Sequence, residues 1–154
     1  IKDELDEVLS KPSAKLPQRV KSKNKNPKPF EVISPAGLII QIGRNHYQND
    51  WISMRLSKPG DLWFHAQECP GSHVVLKSSA GTPNEDDLQL AADLAAHFSR
   101  ARGNNQVAVI MVSTERLKRI PGASPGTVRH SGSSVCWADP ARGKAHISNK
   151  EALA

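Results

Sequence analysis

Residues 61–77 read DLWFHAQECPGSHVVLK. Leu62 to Ala66 is a dense aromatic and apolar run, and Ser72-His73-Val74-Val75-Leu76-Lys77 is a second, with Pro70-Gly71 between them. Two short β-prone runs separated by a Pro-Gly break predict two strands joined by a loop. A period of two then places Trp63 and His65 on one face of the first strand and Phe64 on the other. Lys58-Pro59-Gly60-Asp61 is the turn that leads into the pair.

The flanks extend this into a sheet with helices. Upstream, Phe30 to Ser34 and Leu38 to Ile42 read as two strands around Pro35-Ala36-Gly37, with Gly43 ending the second. Residues 44–57 predict a short helix capped by Asn45 or Asn49. Downstream, Thr82 as N-cap, Pro83 at the first position and Glu85 closing a capping box predict a long helix through Leu88, Ala91, Ala92, Leu94, Ala95 and Phe98, stopped by Gly103. Residues 107–112 form a continuous apolar run, the signature of a buried strand, and 127–130 with 133–137 predict a late hairpin about Ser131-Gly132. The expected class is α+β: a mixed, mainly antiparallel sheet with one long and one short helix packed on it.

Charge divides the chain. Its 154 residues carry a formal net charge of +6. Residues 1–10 hold four acids and helically spaced Ile1, Leu5, Val8 and Leu9, the pattern of the end of a helix or coiled coil. Residues 11–29 hold seven basic side chains, four prolines and no acid, a basic linker. Residues 30–148 form the expected domain and 149–154 a C-terminal tail. The +6 is mostly linker: residues 30–97 have four basic against eight acidic side chains, and 98–154 have nine against three. The basic half is therefore the one expected to face a polyanion. The chain opens on Ile1 rather than Met, which reads as a segment of a longer protein. No apolar run reaches the roughly 20 residues of a membrane helix, and no membrane partner is expected.

Asp61, His65, Ser72 and His73 are the side chains on which a catalytic site would rest. The chain has no nucleophile elbow, no metalloprotease helix motif, no zinc-spaced Cys or His pairs and no phosphate-binding Walker loop. Its two cysteines, Cys69 and Cys136, are too few for a disulfide scaffold. No enzyme activity, cofactor, metal or small-molecule substrate is expected. Nucleic-acid binding asks for cations, amides and stacking rings, and these are present: Arg44 beside Asn45, Gln48 and Asn49; Trp63 with His65; and Lys118-Arg119 leading into Pro121-Gly122-Ala123-Ser124-Pro125-Gly126. Each also has a plainer reading: a core tryptophan, helix-capping amides, a loop that is only a loop.

In order along the chain, Gly43-Arg44-Asn45, Gln48-Asn49-Asp50, Asp61-Leu62-Trp63-Phe64-His65-Ala66, Pro70-Gly71-Ser72-His73-Val74, the alanine-rich helix ending His97-Phe98-Ser99, and Pro121-Gly122-Ala123 with Pro125-Gly126-Thr127-Val128 closely resemble the NFACT-R domain. That is the C-terminal RNA-binding domain of the NFACT family, also called fibronectin-binding protein A-like. The resemblance covers about residues 30–140.

The resemblance implies a non-catalytic RNA-binding module of a ribosome-associated quality-control factor. Its partners would be tRNA and large-subunit rRNA on subunits with an obstructed nascent chain, together with ribosomal proteins. The setting would be cytoplasmic, or plastid for a plant source. It further implies that residues 1–10 end a coiled coil. Carried over by position, Arg44, Lys118 and Arg119 become phosphate contacts, and Asn45, Gln48, Asn49, Trp63, His65 and His73 polar or stacking contacts. Gly43, Asp50, Asp61, Gly71, Ser72, Gly122 and Gly126 become structural. The alternative is a protein-binding module, either a fibronectin-type adhesin or a dock for a ribosomal protein.

Overall fold

The computed structural model describes residues 28–153, with side chains through residue 148. The helical end expected at 1–10 and nearly all of the linker expected at 11–29 lie outside the described residues. Among the described residues there are eight strands: β1 (Phe30–Ile33), β2 (Ile39–Ile42), β3 (Leu62–Ala66), β4 (Val74–Leu76), β5 (Val107–Ser113), β6 (Lys118–Arg119), β7 (Val128–Arg129) and β8 (Ser134–Ala138). Helix α1 (His46–Asp50) runs on into a π-helical turn, Trp51–Arg55; α2 spans Glu85–His97 and α3 spans Pro140–Leu153.

Six strands form one sheet in the order β1-β2-β4-β3-β5-β8. Every pairing in it is antiparallel. The fold is α+β. The 61–77 stretch forms the central β3–β4 pair, with Trp63 opposite Val75 and Phe64 opposite Val74.

Alternation along β3 sorts its side chains between two apolar layers. Phe64 and Ala66 join Ile40, Ile42, Val74, Leu76 and Val109 beneath the alanine-rich face of α2. Trp63 belongs to a smaller layer on the opposite face, with Val75 and Val112, closed by Ile52 from the π turn and by Leu117. Phe64 has no exposed surface, a burial that stabilises by about 2–3 kcal/mol.

Three local expectations are corrected. The α2 cap is Asn84: its side chain accepts from Asp87 N at 3.0 Å while Asp87 accepts from Asn84 N at 2.8 Å. A long-range contact decides this over Thr82 and Glu85, because the other Asp87 oxygen accepts from Ala36 N in the β1–β2 turn at 2.9 Å. The helix ends at His97, capped by Phe98 and well short of Gly103. The late hairpin does not form; β7 pairs with β6, and β8 pairs with β5 along the sheet.

Helix α3, where no element was expected, packs on α2. Asp93, buried in α2, accepts from Asp139 N at 2.9 Å and from Arg142 Nε at 2.9 Å. Gly143 permits the close approach, since a Cβ there would lie 2.6 Å from Asp93 O.

Candidate nucleic-acid interface

The amides after Arg44 hold the backbone in place. Asn45 caps α1 by accepting from Gln48 N at 2.9 Å. Gln48 is buried and its Oε1 accepts from Arg44 N at 2.8 Å. Asn49 Oδ1 accepts from His73 N at 3.0 Å, and a Cβ on Gly43 would sit 2.1 Å from that oxygen. These three residues orient Arg44, which is exposed and lies over the Phe30 ring at 5.0 Å. Gly43 is required by contact, as only a hydrogen leaves room for Asn49.

Trp63 is 3% exposed. Its ring meets His65 in a parallel stack at 5.5 Å, the edge of His73 at 5.1 Å and a tilted His130 at 5.9 Å. The surface that a nucleobase would stack on is thus occupied by the protein's own imidazoles. His73 is buried, with Nδ1 2.7 Å from Ser53 Oγ. Burial first, and then the neighbouring His65, push its pKa down to about 3, so it is neutral at physiological pH. His65 is half-buried and hydrogen-bonded to Ala66 O at 2.7 Å and Gly71 O at 3.2 Å; burial lowers its pKa as well.

Asp61 and Ser72 brace strand ends. Asp61 is fully buried and accepts from Lys77 Nζ at 2.5 Å, Lys58 N at 2.9 Å and Ser79 N at 3.0 Å. Burial works to raise its pKa, but these hydrogen bonds prevail and hold it below the usual carboxylate value. Ser72 N donates to Phe98 O at 2.9 Å, and Gly71 bridges to Ser99.

Three cations of the basic half, Lys118, Arg119 and Arg129, lie on the β6–β7 ribbon. Lys118 lies directly opposite Arg129 in the register, and both are exposed. Like charges facing each other across a strand pair destabilise it unless an anion lies between or beside them. Arg119, next in β6, is joined to Asp50 of α1 by Nε–Oδ1 at 3.0 Å and Nη2–Oδ2 at 2.8 Å. The hydrogen bond from Arg119 holds the Asp50 carboxyl below its ordinary pKa.

Between ribbon and helix is a shallow cleft of about 310 Å³, lined by Asp50, Arg55, Arg119, Ser124 and Thr127 among others. The loop over it is seated on α1 at Gly126, whose φ is +87° and where a Cβ would lie 2.9 Å from His46 O. Gly122 turns at φ +80° in open space. Arg44, Lys118 and Arg119 are therefore exposed, whereas Gln48, Trp63 and His73 are interior and His65 and Asn49 are half-buried.

The sequence reading missed three exposed residues here: Arg55, Arg129 and Trp137. Period two was the available signal for Trp137, since Cys136 and Ala138 pack toward α2 and leave Trp137 on the other face. Among the described residues no group of three or more His, Cys, Asp or Glu could hold a metal ion, and no helix is long and apolar enough to cross a membrane.

Comparison with known proteins places this arrangement. Residues 28–135 match the family described as "NFACT protein RNA binding domain". The "Rqc2 homolog RqcH" of Streptococcus suis is 38% identical over 122 residues, covering 79% of this chain and 22% of that protein. Its Bacillus subtilis counterpart is 35% identical over 120 residues, covering 78% and 21%. The chain thus spans about a fifth of the length of these curated relatives. A solved structure, the C-terminal part of the fibronectin/fibrinogen-binding protein from Streptococcus suis, superposes with a TM-score of 0.70 at 38% identity, covering 73% of this chain and 46% of that one. With both its fold and most of its length matched, this chain belongs to the NFACT RNA-binding domain family.

Proposed function

We infer that this chain is the RNA-contacting module of a cytoplasmic ribosome quality-control factor, binding tRNA and large-subunit rRNA without catalysis of its own. The observation that carries the reading is the Lys118–Arg129 pair, two exposed like charges held opposite each other in a family described as RNA-binding. A phosphate between them would relieve their repulsion, and Arg44 and the outer edge of Arg119 supply further cations. The naming of the relatives supports the ribosomal setting. Asn45, Gln48, Asn49 and His73 contribute by fixing the backbone that carries Arg44 and the 121–127 loop. Gly43, Asp50, Asp61, Gly71, Ser72, Gly122 and Gly126 shape that surface.

The test is tRNA and large-subunit rRNA binding by the 154-residue chain across a salt series. Affinity is expected to fall steeply with salt, because each neutralised phosphate releases counterions. Salt-independent binding, or none at low salt, overturns the reading. Retention of fibronectin at physiological salt with no RNA bound would favour a protein-binding module, the activity named for the structural neighbour.

A further inference from the structure

An exposed apolar area lies at the β5–β8 edge of the sheet. On the face opposite α2, the registers align His65 with Ile110 and Ile110 with Val135. In the next row Gln67 N donates to Ala108 O at 2.9 Å, and Ala108 faces Trp137. Ribbon and π turn cover Trp63 further along and leave the β8 end of these two rows open: Trp137 is 61% exposed and Val135 51%, beside half-buried Ile110, Ala108 and His65. A large exposed apolar surface on a folded domain marks a binding surface.

We propose that the two-row platform of His65, Ile110 and Val135 with Gln67, Ala108 and Trp137 is a stacking subsite for an unpaired nucleobase. This rests on the RNA-binding reading above and adds to it a preference for single-stranded RNA. Trp137 lies beyond residues 28–135, so the family match does not extend to it.

Charge at the platform's two ends selects the occupant. His65 bonds to Gly71, which bridges to Ser99 and so leads to exposed Arg100 and Arg102. At the other end, Val135 follows Gly132, against which the Arg116 guanidinium lies, with exposed Arg129 on the strand before it. The nearest acids in sequence are Glu68 and Asp139. Asp139 is committed to Ala141 N at 2.9 Å and lies 3.9 Å from Arg142. An aromatic face between two groups of cations suits a backbone of phosphates with one base turned onto the ring. Exposed amides at Gln67, Asn104, Asn105 and Gln106 offer partners for base edges.

The experiment compares an eight-nucleotide oligoadenylate with a fully paired RNA duplex of the same length, using the whole 154-residue chain. Trp137→Ala is expected to weaken oligoadenylate binding by about tenfold, the usual scale for losing one stacked base. It should leave duplex binding and the salt slope as in the wild type, and Trp137→Phe should restore most of the affinity. Oligoadenylate should quench tryptophan fluorescence in the wild type and much less in Trp137→Phe, a readout that a purely structural role would not move. Equal oligoadenylate affinity of wild type and Trp137→Ala overturns the subsite and leaves the phosphate interface standing. Failure of the wild type to bind any RNA overturns both. A Trp137→Ala defect confined to a purified ribosomal protein, with RNA binding intact, assigns the face to protein instead.

Discussion

Arg119 holds Asp50 through two hydrogen bonds, 3.0 and 2.8 Å, between residues 69 apart in sequence. The pair ties the β6–β7 ribbon to α1 and fixes the cleft between them. It also sets Asp50 in competition with any phosphate for the same guanidinium.

That competition has a measurable sign. Arg119 is half-exposed, so the pair is worth at most about 1 kcal/mol to stability. Asp50→Asn is expected to release Arg119 and strengthen tRNA binding by about threefold at low salt, whereas Arg119→Ala weakens it. Filter-binding isotherms on the two variants decide the matter. Weaker binding by Asp50→Asn, in a protein that melts with the wild type, would mean that the ion pair shapes the interface rather than masking it.

Lys118 and Arg129 give an independent test. Removing either relieves repulsion within the ribbon, so Lys118→Ala is expected to leave thermal stability unchanged or slightly raised. The same substitution should lower the slope of log affinity against log salt by about 0.7–0.9, one phosphate's share. Lys118→Ala combined with Arg44→Ala should lower it about twice as far. An unchanged slope in the double variant would remove both residues from the interface.

The central strands were legible because their signals are local. The 61–77 stretch has its own density, its own break and its own alternation, and it forms the β3–β4 pair as read. The α1 cap was legible as one of two asparagines: Asn45 takes it, while Asn49 turns to His73 N. Residues 140–148 gave no such signal: among PARGKAHIS only Ile147 is large and apolar, and α3 is held instead by the Asp93–Arg142 ion pair and the close approach at Gly143. The sequence left Trp63 open between a core and a stacking role, and what decides for the core is cover that includes Leu117 and His130 from far along the chain, with Ile52 from the nearby π turn. Residues 127–137 resemble a hairpin locally, but the open edge of β5 captures β8 and leaves β7 to β6.

Buried histidine makes the fold acid-sensitive. His73 titrates near its ordinary value of 6.5 when unfolded and near 3 when folded, so between those values the unfolded chain binds more protons. Stability is therefore full above about pH 6.5 and falls as the pH drops toward 3, by up to about 5 kcal/mol if no relaxation intervenes. Urea unfolding at pH 7 and pH 4.5 measures this. His73→Gln should flatten the dependence; an equally steep loss in that variant would place its origin in other groups, His65 first among them.

Asp61 is a buried anion with one cation and two backbone donors. Asp61→Asn keeps the volume but turns an amide toward the Lys77 ammonium, leaving a largely buried charge unpaired. A loss of about 3 kcal/mol is expected, read as a lower urea midpoint at pH 7. Lys77→Met made together with Asp61→Asn should recover part of that loss, because the unpaired charge is gone. No recovery would mean that the backbone hydrogen bonds of Asp61, and not its ion pair, carry the effect.

Gly143 sets two physical effects against each other. In a helix interior, alanine is favoured over glycine by about 1 kcal/mol. At residue 143, however, a Cβ would lie 2.6 Å from Asp93 O, 2.8 Å from Asp93 C and 3.1 Å from Leu94 N, all of them backbone atoms of α2 that cannot rotate away. Helix α3 would have to move outward, stretching the Arg142–Asp93 contact, at a cost of about 1–3 kcal/mol for such overpacking. Contact outweighs propensity, so Gly143→Ala is expected to destabilise. Gly103→Ala is the control, because a Cβ there meets nothing within 4 Å, and its melting temperature should match or exceed the wild type. A more stable Gly143→Ala variant would show that α3 docks on α2 less closely than this packing requires.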